Sequence, residues 1–183
     1  RYLIFMTDNG TSRGVTFTET RGNQGVKVSG YNAGRRGKKG SPYEGGHRVP
    51  FFIRWPCGQL TGGRDIDQLS SHIDLLPTLI ELCSLTPPAG VRFDGRSLAP
   101  LLRGQAGPWA PRTLFAHHQE LPEPQRYRFG CVMQGRWRLV LRNDVEPAAR
   151  LELFDLESDP GQAGPLGPSQ AAVARRLREA YES

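Results

Sequence analysis

The stretch KKGSPYEGGHRVPFFIRWP, residues 38–56, sets a dense group of charged side chains and paired glycines against an apolar segment. Its first eleven residues hold two lysines, a glutamate, a histidine and an arginine, and an apolar run bounded by Pro50 and Pro56 follows directly. Binding and catalytic groups usually lie on loops that a rigid scaffold positions. The stretch therefore indicates either a functional loop beside a buried strand or an ordinary charged surface turn.

The first residues of the chain read as another buried strand that ends in polar groups. RYLIFM, residues 1–6, is a continuous apolar run of the kind found in parallel sheets, and TDNG follows it. Ligands of open α/β sheets bind beyond the carboxyl ends of strands, where Asp8 and Asn9 fall. A carboxylate and an amide oxygen suit a hard cation such as Ca²⁺ or Mg²⁺. The alternative is that Asp8, Asn9 and Gly10 form an Asx-type turn.

A polar, glycine-rich segment connects these two stretches. Weak alternation at residues 15–18 and 26–28 predicts a small hairpin within it. We interpret residues 11–37 as an excursion over the site, and the alternative is a solvated loop. The side chains that this segment offers to an anionic substrate are Arg21, Lys27, Tyr31, Asn32, Arg35 and Arg36.

The second half of the chain predicts a helix, a sheet and a final helix. SSHIDLLPTLIEL, residues 70–82, predicts a helix with Asp74 as its N-cap and Pro77 in its first turn. Four short alternating or apolar runs after residue 112 predict a four-stranded antiparallel sheet. Residues 169–181 predict an amphipathic helix whose apolar stripe is formed by Val173, Leu177 and Tyr181. The neighbours His117 and His118 should point to opposite faces of their strand.

Composition limits the classes of partner. The formal net charge is +6, which favours anionic ligands, but no recognised nucleic-acid motif is present and we expect no nucleic-acid partner. No apolar run approaches the ~20 residues that span a bilayer. Three well-separated cysteines without a CxxC pair indicate neither a zinc site nor a dense disulfide framework.

The motifs occur in an order that resembles the C-terminal part of sulfatases. The series runs TDNG, KGSPYEGGHRVPFFIRWP, SHIDLLPTLIEL, FDGRSLAPLLRG, GRWRLV and ELFDLESDPGQ. The resemblance is to the arylsulfatase type, whose fold is similar to that of alkaline phosphatase. It implies an α/β fold in which residues 1–111 form the C-terminal part of the sulfatase α/β domain. Residues 112–183 then form a small subdomain of about four antiparallel strands and a helix.

The resemblance also implies roles for individual residues. Asp8 and Asn9 match two ligands of a calcium ion, and Lys39 matches the lysine that reaches a sulfate oxygen and acts in catalysis. Lys38 is the rival for that role, and only the KGSPYEGG register favours Lys39. His47 stands where the family often carries an apolar residue, and we assign it, with Arg36 and Lys39, to substrate binding. The implied substrate is a sulfated small molecule or glycan, and the implied location is periplasmic, secreted or lysosomal.

The nucleophile of the family has no counterpart in this sequence. Sulfatases cleave a sulfate ester with a formylglycine hydrate that is made from a cysteine or serine in a CxPxR-type motif. Cys57, Cys83 and Cys131 are followed by GQLT, SLTP and VMQG, and none of these fits that motif. We therefore expect a C-terminal sulfatase fragment that is inactive by itself and holds an incomplete set of calcium ligands.

Two other functions stay open at this point. One is a non-catalytic module that binds an anionic glycan or a protein on a sulfatase-derived scaffold. The other is a phosphoesterase of the same superfamily, against which the EGGHRVP run argues. The apolar strand at residues 1–6 needs cover, so we expect the missing N-terminal half as a partner, self-association into an oligomer, or a rearranged sheet.

Overall fold

A computed structural model gives the architecture of the chain. The structure describes residues 1–12, 16–19, 26–29, 31–60, 62–105, 107–119, 122–123, 126–142 and 151–183, and it describes only the backbone of 16–19 and 26–29. Arg21 and the side chain of Lys27, both candidates for contact with an anion, lie outside the described residues.

The described elements are eight short strands and four α-helices. The strands are β1 (Leu3–Met6), β2 (Thr16–Glu19), β3 (Val26–Ser29), β4 (Phe51–Arg54), β5 (Thr113–His117), β6 (Gly130–Gln134), β7 (Trp137–Leu141) and β8 (Leu151–Asp155). The helices are α1 (Glu44–His47), α2 (Leu75–Leu82), α3 (Ala99–Leu102) and α4 (Ala171–Glu182), with single 3₁₀ turns at Pro56–Gly58, His72–Asp74 and Pro168–Gln170. β2 and β3 pair antiparallel, which confirms the predicted hairpin.

The chain divides into two compact units. One consists of Arg1–Asp8 with Pro50–Pro111, and the other of Asn9–Val49 with Arg112–Ser183. The predicted domains, 1–111 and 112–183, share the boundary after residue 111 but assign residues 9–49 differently. These residues join the C-terminal unit because Tyr43 packs with Phe154 of β8 and Glu44 pairs with Arg138 of β7. The domain assignment itself stays a prediction.

In the first unit, β1 runs antiparallel to β4, with Leu3 opposite Arg54 and Met6 opposite Phe51. This corrects the expectation that residues 1–6 form a strand buried in a parallel sheet. Successive side chains of a strand point to opposite faces. One face of this ribbon is largely exposed, since Phe5 and Phe52 keep 56% and 66% of their surface accessible.

Asp74 occupies the predicted N-cap position of α2, but its carboxylate does not cap that helix and instead forms a capping box with Ser71 at the preceding 3₁₀ turn. Ser71 is the cap of the preceding 3₁₀ turn, and its N–H donates to the Asp74 carboxylate at 2.8 Å. The second carboxylate oxygen of Asp74 accepts the N–H of Arg96 at 2.8 Å. The buried Asp74 therefore ties the helix start to the FDGRSL segment, which sequence spacing did not reveal.

In the second unit, β5-β6-β7-β8 form the four-stranded antiparallel sheet that the sequence predicted. Helix α4 covers one face, where Leu177 packs against a cluster that includes Leu139, Leu141 and Leu153. The amphipathic prediction for the C-terminal helix is confirmed, because Val173 and Tyr181 lie beside the same cluster. The opposite face carries Tyr43, Cys131, Val140 and Phe154.

The three cysteines are free, and Cys131 is fully buried while Cys57 is exposed. Among the described residues, no helix combines the length and the apolar character that crossing a bilayer requires.

We expect Leu177→Ala to lower the free energy of unfolding by about 2–5 kcal/mol, because it leaves a cavity between α4 and the sheet. Arg176→Ala is the matched control on the exposed face of the same helix and should change it by less than about 0.5 kcal/mol. Urea unfolding of the two variants checks this. Equal effects would show that α4 is not packed on the sheet as described.

Candidate functional site

Residues 31–47, here called the lysine loop, are joined by backbone hydrogen bonds to the segment that follows β1. The N–H of Lys39 donates to the carbonyl of Thr11 at 2.9 Å, and the N–H of Gly10 donates to the carbonyl of Gly46 at 2.9 Å. These bonds join the middle and the C-terminal end of the loop to the segment that starts at Asn9. The structure thus brings the backbone of Lys39 into contact with that of Thr11, two residues after Asn9.

The paired glycines of the loop are required by close packing rather than by unusual backbone angles. A Cβ on Gly45 would lie 2.4 Å from the carbonyl oxygen of Gly37, and one on Gly46 would lie 2.1 Å from that of Ser41. Both glycines belong to α1, and neither has a positive φ. Glycine is therefore not needed at these two positions for a positive φ. Gly10 is equally confined, since its Cβ would lie 1.9 Å from the Gly45 carbonyl oxygen.

A buried ion pair docks the loop on the sheet. The Arg138 Nε lies 2.7 Å from Glu44 Oε1, and both side chains are almost fully buried. Glu44 Oε2 accepts a hydrogen bond from Arg48 at 3.1 Å, and the backbone N–H of Glu44 donates to Oε1 of Gln162 at 2.7 Å. Burial by itself raises the pKa of Glu44, but the charges of Arg138 and His47 and the hydrogen bonds from both arginines outweigh it, and the net shift is downward.

A second polar cluster lies beside this pair. The Tyr43 hydroxyl donates to Glu152 Oε2 at 2.5 Å, and the guanidinium of Arg36 lies 4.0 Å from the centre of the Tyr43 ring. Arg36 and Arg142 approach the Glu152 carboxylate at 3.6 and 3.9 Å. Burial and the hydrogen bond to Glu152 raise the pKa of Tyr43, so its hydroxyl stays a neutral donor.

The lysine loop and the sheet line an open pocket of about 240 Å³, here called the cationic pocket. Four of its lining side chains carry positive charge: Arg36, Lys38, Lys39 and Arg142. The remainder of the lining comes from Gly40, Ser41, Pro42, Tyr43 and Phe129.

His117 is the last residue of β5 and His118 follows it. The two side chains lie on opposite sides of the sheet. The ring of His117 packs against Tyr181 of α4. The Nε2 of His118 would lie 3.7 Å from a Cβ placed on Gly40 of the lysine loop. His118 therefore lies beside the loop that carries Lys39.

The predicted calcium ligands, Asp8 and Asn9, are consecutive residues, and the chain passes from one compact unit to the other between them. Asp8 is the last residue of Arg1–Asp8, and Asn9 is the first of Asn9–Val49. Oxygen donors of this kind suit a hard cation, which takes 6–8 of them. Within the described residues no cluster of three or more His, Cys, Asp or Glu side chains forms a metal site. The pair fits such a cation in chemistry, and its role as a metal ligand stays a prediction.

His47 lies in α1 and not among the residues that line the cationic pocket. Its Nε2 is buried and has no hydrogen-bond partner among the described residues. Burial lowers the pKa of His47, and the charges of Arg138 and Arg48 act in the same direction, against the opposing effects of Glu44 and a hydrogen bond with the Pro42 backbone. Its assignment to substrate binding stays a prediction.

The sequence model of a family described as N-sulphoglucosamine sulphohydrolase, C-terminal, matches residues 38–180. The chain belongs to this family of sulfatases. The match covers the lysine loop from Lys38 onward, the whole four-stranded sheet and most of α4.

Individual sulfatases are similar over most of this chain. The steryl-sulfatase of Mus musculus is 29% identical over 204 residues, which cover 99% of this chain and 31% of that protein. Arylsulfatase D of Homo sapiens is 32% identical over 176 residues, which cover 81% of this chain and 30% of that protein. The chain thus spans about a third of the length of these curated relatives.

The fold is shared with solved structures. The crystal structure of Ps i-CgsB superposes with a TM-score of 0.72 at 21% identity, over 99% of this chain and 35% of that chain. The mixed α/β architecture and the small C-terminal sheet expected of a sulfatase are confirmed.

Several site residues of this sulfatase chain carried no signal in the sequence. Arg138, Arg142 and Glu152 lie on strands or at a strand end about a hundred residues from the lysine loop, and ordinary strand charges gave no reason to place them there. Phe129, which also lines the cationic pocket, had no feature in the sequence that set it apart from other apolar residues. The one available hint was the isolated Arg138 between apolar residues of GRWRLV, because a charged residue in a buried strand needs a partner.

We expect Arg138→Met to destabilise the protein by about 3–5 kcal/mol, since it leaves the buried Glu44 carboxylate without its closest cation. Arg136→Met is the matched control two residues earlier. Arg136 is half exposed and pairs with the exposed Glu157 and with Asp155, whose buried carboxylate also accepts the N–H of Glu157, so its loss should cost less than about 1 kcal/mol. Thermal unfolding distinguishes the two, and similar losses would contradict a docking role for the Glu44–Arg138 pair.

Acidification should destabilise the protein partly through His47. Because the folded pKa of His47 lies below its ordinary value of 6.5, the unfolded chain binds more protons between those two pKa values. The stability due to neutral His47 is complete above about pH 6.5 and is lost as pH falls, whereas the loss through Glu44 begins only near its ordinary pKa of 4.5. We expect the Tm of His47→Gln to fall less than that of the wild type between pH 7.5 and 5.5.

The control for this titration is His117→Gln, because His117 is exposed. It should keep the wild-type slope of Tm against pH. A wild-type slope in His47→Gln would mean that His47 does not titrate differently on unfolding.

Proposed function

We propose that this chain is the C-terminal part of a sulfuric ester hydrolase. Its contribution is a sulfate-binding lysine, Lys39, and two metal ligands, Asp8 and Asn9, and the nucleophile comes from a part of the enzyme outside these residues. The observation that carries the proposal is the position of Lys39. It lies in a family-matched loop whose backbone is fixed to Thr11 and whose helix is docked by the Glu44–Arg138 pair.

The role of Lys39 follows from its charge and exposure. Its side chain is exposed and lines the cationic pocket, so its ammonium group is available to an anion. An ammonium is a compact point charge that suits a tetrahedral sulfate oxygen, and it stabilises negative charge that develops on the leaving oxygen. Arg36 lines the same pocket and supports substrate binding. His47 does not line this pocket, and its assignment to substrate binding remains part of the proposal.

Asp8 and Asn9 would hold a divalent cation, proposed as Ca²⁺, together with ligands from the rest of the enzyme. When bound, the ion would activate the hydroxyl nucleophile and neutralise charge on the sulfate group. The residues of this chain provide two oxygen donors at the end of β1, and Gly10 fixes the backbone that follows them through its bond to Gly46. The proposed substrate is a sulfated small molecule or glycan.

A second candidate function is a module that binds an anionic glycan without cleaving it. The cationic pocket favours this candidate, because four positive side chains line it and the sequence of the chain has no CxPxR motif. The same pocket would serve a hydrolase, so activity decides between the two.

The test is hydrolysis of 4-nitrophenyl sulfate by the natural polypeptide that carries this chain. We expect Lys39→Ala to lower kcat/KM on the order of 10²-fold, because it removes a charge that stabilises the transition state. Lys38→Ala is the direct comparison, since Lys38 is the rival for this role. A loss as large in Lys38→Ala as in Lys39→Ala would contradict the assigned register, and no hydrolysis by the unaltered polypeptide would favour the binding module.

A further inference from the structure

We propose that His72 is a positioning residue that holds the end of β1, and with it Asp8, in place for a divalent cation. The Nε2 of the His72 ring lies 2.9 Å from the backbone carbonyl oxygen of Thr7, the residue directly before Asp8. The inference rests on the proposed function for one point, which is that Asp8 is a metal ligand. It adds a group that keeps the backbone of this ligand ordered before the cation binds.

The bond lies just beyond the paired part of β1. The ladder between β1 and β4 ends with Met6 opposite Phe51, so the carbonyl of Thr7 lies outside it. The chain then bends at residues 8–10. Residues at the end of an element open locally more easily than those within it. A bond at Thr7 therefore acts on the backbone from which the Asp8 side chain extends.

The bond needs only a donor on the ring. A carbonyl oxygen accepts, so the Nε2 of His72 carries the proton, and a charged ring would donate in the same way. His72 is exposed, and an exposed hydrogen bond competes with water and adds little to the free energy of unfolding. We therefore expect the bond to order one point of the backbone rather than to stabilise the whole protein.

The turn that carries His72 is held by a buried carboxylate. His72 begins the 3₁₀ turn that ends at Asp74, and Asp74 is fully buried. The carboxylate of Asp74 accepts the N–H groups of Ser71 and Arg96, each at 2.8 Å. Its backbone carbonyl accepts the hydroxyl of Thr78 at 2.6 Å. The backbone on both sides of His72 is thus bonded to the same residue.

The FDGRSL segment packs directly against this turn. A Cβ on Gly95 would lie 2.0 Å from the carbonyl oxygen of Ile73, so the close approach requires glycine. The hydroxyl of Thr78 also accepts the N–H of Leu98 at 2.8 Å. All of these residues and β1 belong to the compact unit formed by Arg1–Asp8 and Pro50–Pro111. The ring of His72 is therefore presented to Thr7 from a rigid base within one unit.

Groups that orient metal ligands affect metal affinity without touching the ion. Loss of such a group commonly weakens metal binding about 10- to 100-fold. His72 acts through the peptide bond that joins Thr7 to Asp8, and not on the carboxylate itself. We therefore expect an effect at the lower end of this range.

The test uses the natural polypeptide that carries this chain, freed of metal. His72→Leu removes the donor, and His72→Gln restores one, because the amide nitrogen of glutamine extends about as far from the backbone as the histidine Nε2. His117→Leu is the matched control, since His117 is an exposed histidine of the other compact unit. Asp8→Ala tests the metal ligand itself. Calorimetry measures the affinity for Ca²⁺, and amide hydrogen exchange without metal measures the order of residues 5–9.

We expect His72→Leu to weaken Ca²⁺ binding about 10-fold and to speed amide exchange at the end of β1 about 3-fold or more. Its Tm should stay within about 2 °C of the wild-type value, because the lost bond is exposed. His72→Gln should bind Ca²⁺ within about 3-fold of the wild type, since the donor is restored. His117→Leu should match the wild type in both measurements.

Three results would overturn the inference. Unchanged exchange in His72→Leu would show that the bond does not hold the strand end. Faster exchange with unchanged Ca²⁺ affinity would show that this order does not matter to the metal. A loss of Ca²⁺ affinity that His72→Gln fails to restore would show that the ring acts other than as a donor to Thr7.

The variant Asp8→Ala separates these results from a failure of the proposed function. If it binds Ca²⁺ as tightly as the wild type, Asp8 is not a metal ligand, and the inference is rejected together with that part of the proposed function. If it binds Ca²⁺ much more weakly, Asp8 keeps its proposed role and the two His72 variants decide the inference.

Discussion

The arrangement of the site depends on the buried ion pair between Glu44 and Arg138. Taking both charges out of water is costly, and the pair persists because its remaining polar atoms also have partners. Arg48 bonds the second oxygen of Glu44, and the guanidinium of Arg138 donates to the carbonyls of Gly135 and Trp137. The pair therefore fixes the position of helix α1 on the sheet more than it adds to overall stability. The lysine loop includes α1, so the position of the loop depends on the same pair.

The loop that this ion pair anchors combines a hydrogen-bonded backbone with exposed side chains. Glycines at positions 10, 45 and 46 let three backbone segments approach more closely than any Cβ would allow. The ESDPGQ turn gives the loop a second support, because Arg36 and Glu44 bond to Gly161 and Gln162. Lys38 and Lys39 extend from this hydrogen-bonded backbone as exposed side chains. The KGSPYEGG and ESDPGQ motifs, which lie far apart in the sequence, are thus in contact at this loop.

Sequence patterns predicted the elements and the family, but they were less successful with the contacts between elements. The four-stranded sheet and the C-terminal helix followed from periodicity, since apolar alternation is a local property that burial of one face enforces. The sulfatase family followed from an ordered series of motifs. The partner of Glu44 was missed because Arg138 lies 94 residues away, and residue spacing shows only neighbours such as Arg48. The paired glycines proved to be required by space rather than by backbone angle, which the sequence pattern does not distinguish.

The sequence by itself determined the family, the helix that contains residues 75–82, the C-terminal sheet with its helix, and the residue types available for an anion and a hard cation. These are properties of local pattern and of motif order, which do not depend on how distant segments meet. Only the tertiary structure decided which cations share a pocket, which face of the sheet receives the lysine loop, and which arginine neutralises Glu44. Those outcomes depend on burial and on long-range pairing, because a charge is stabilised by whatever the fold places within a few ångströms of it.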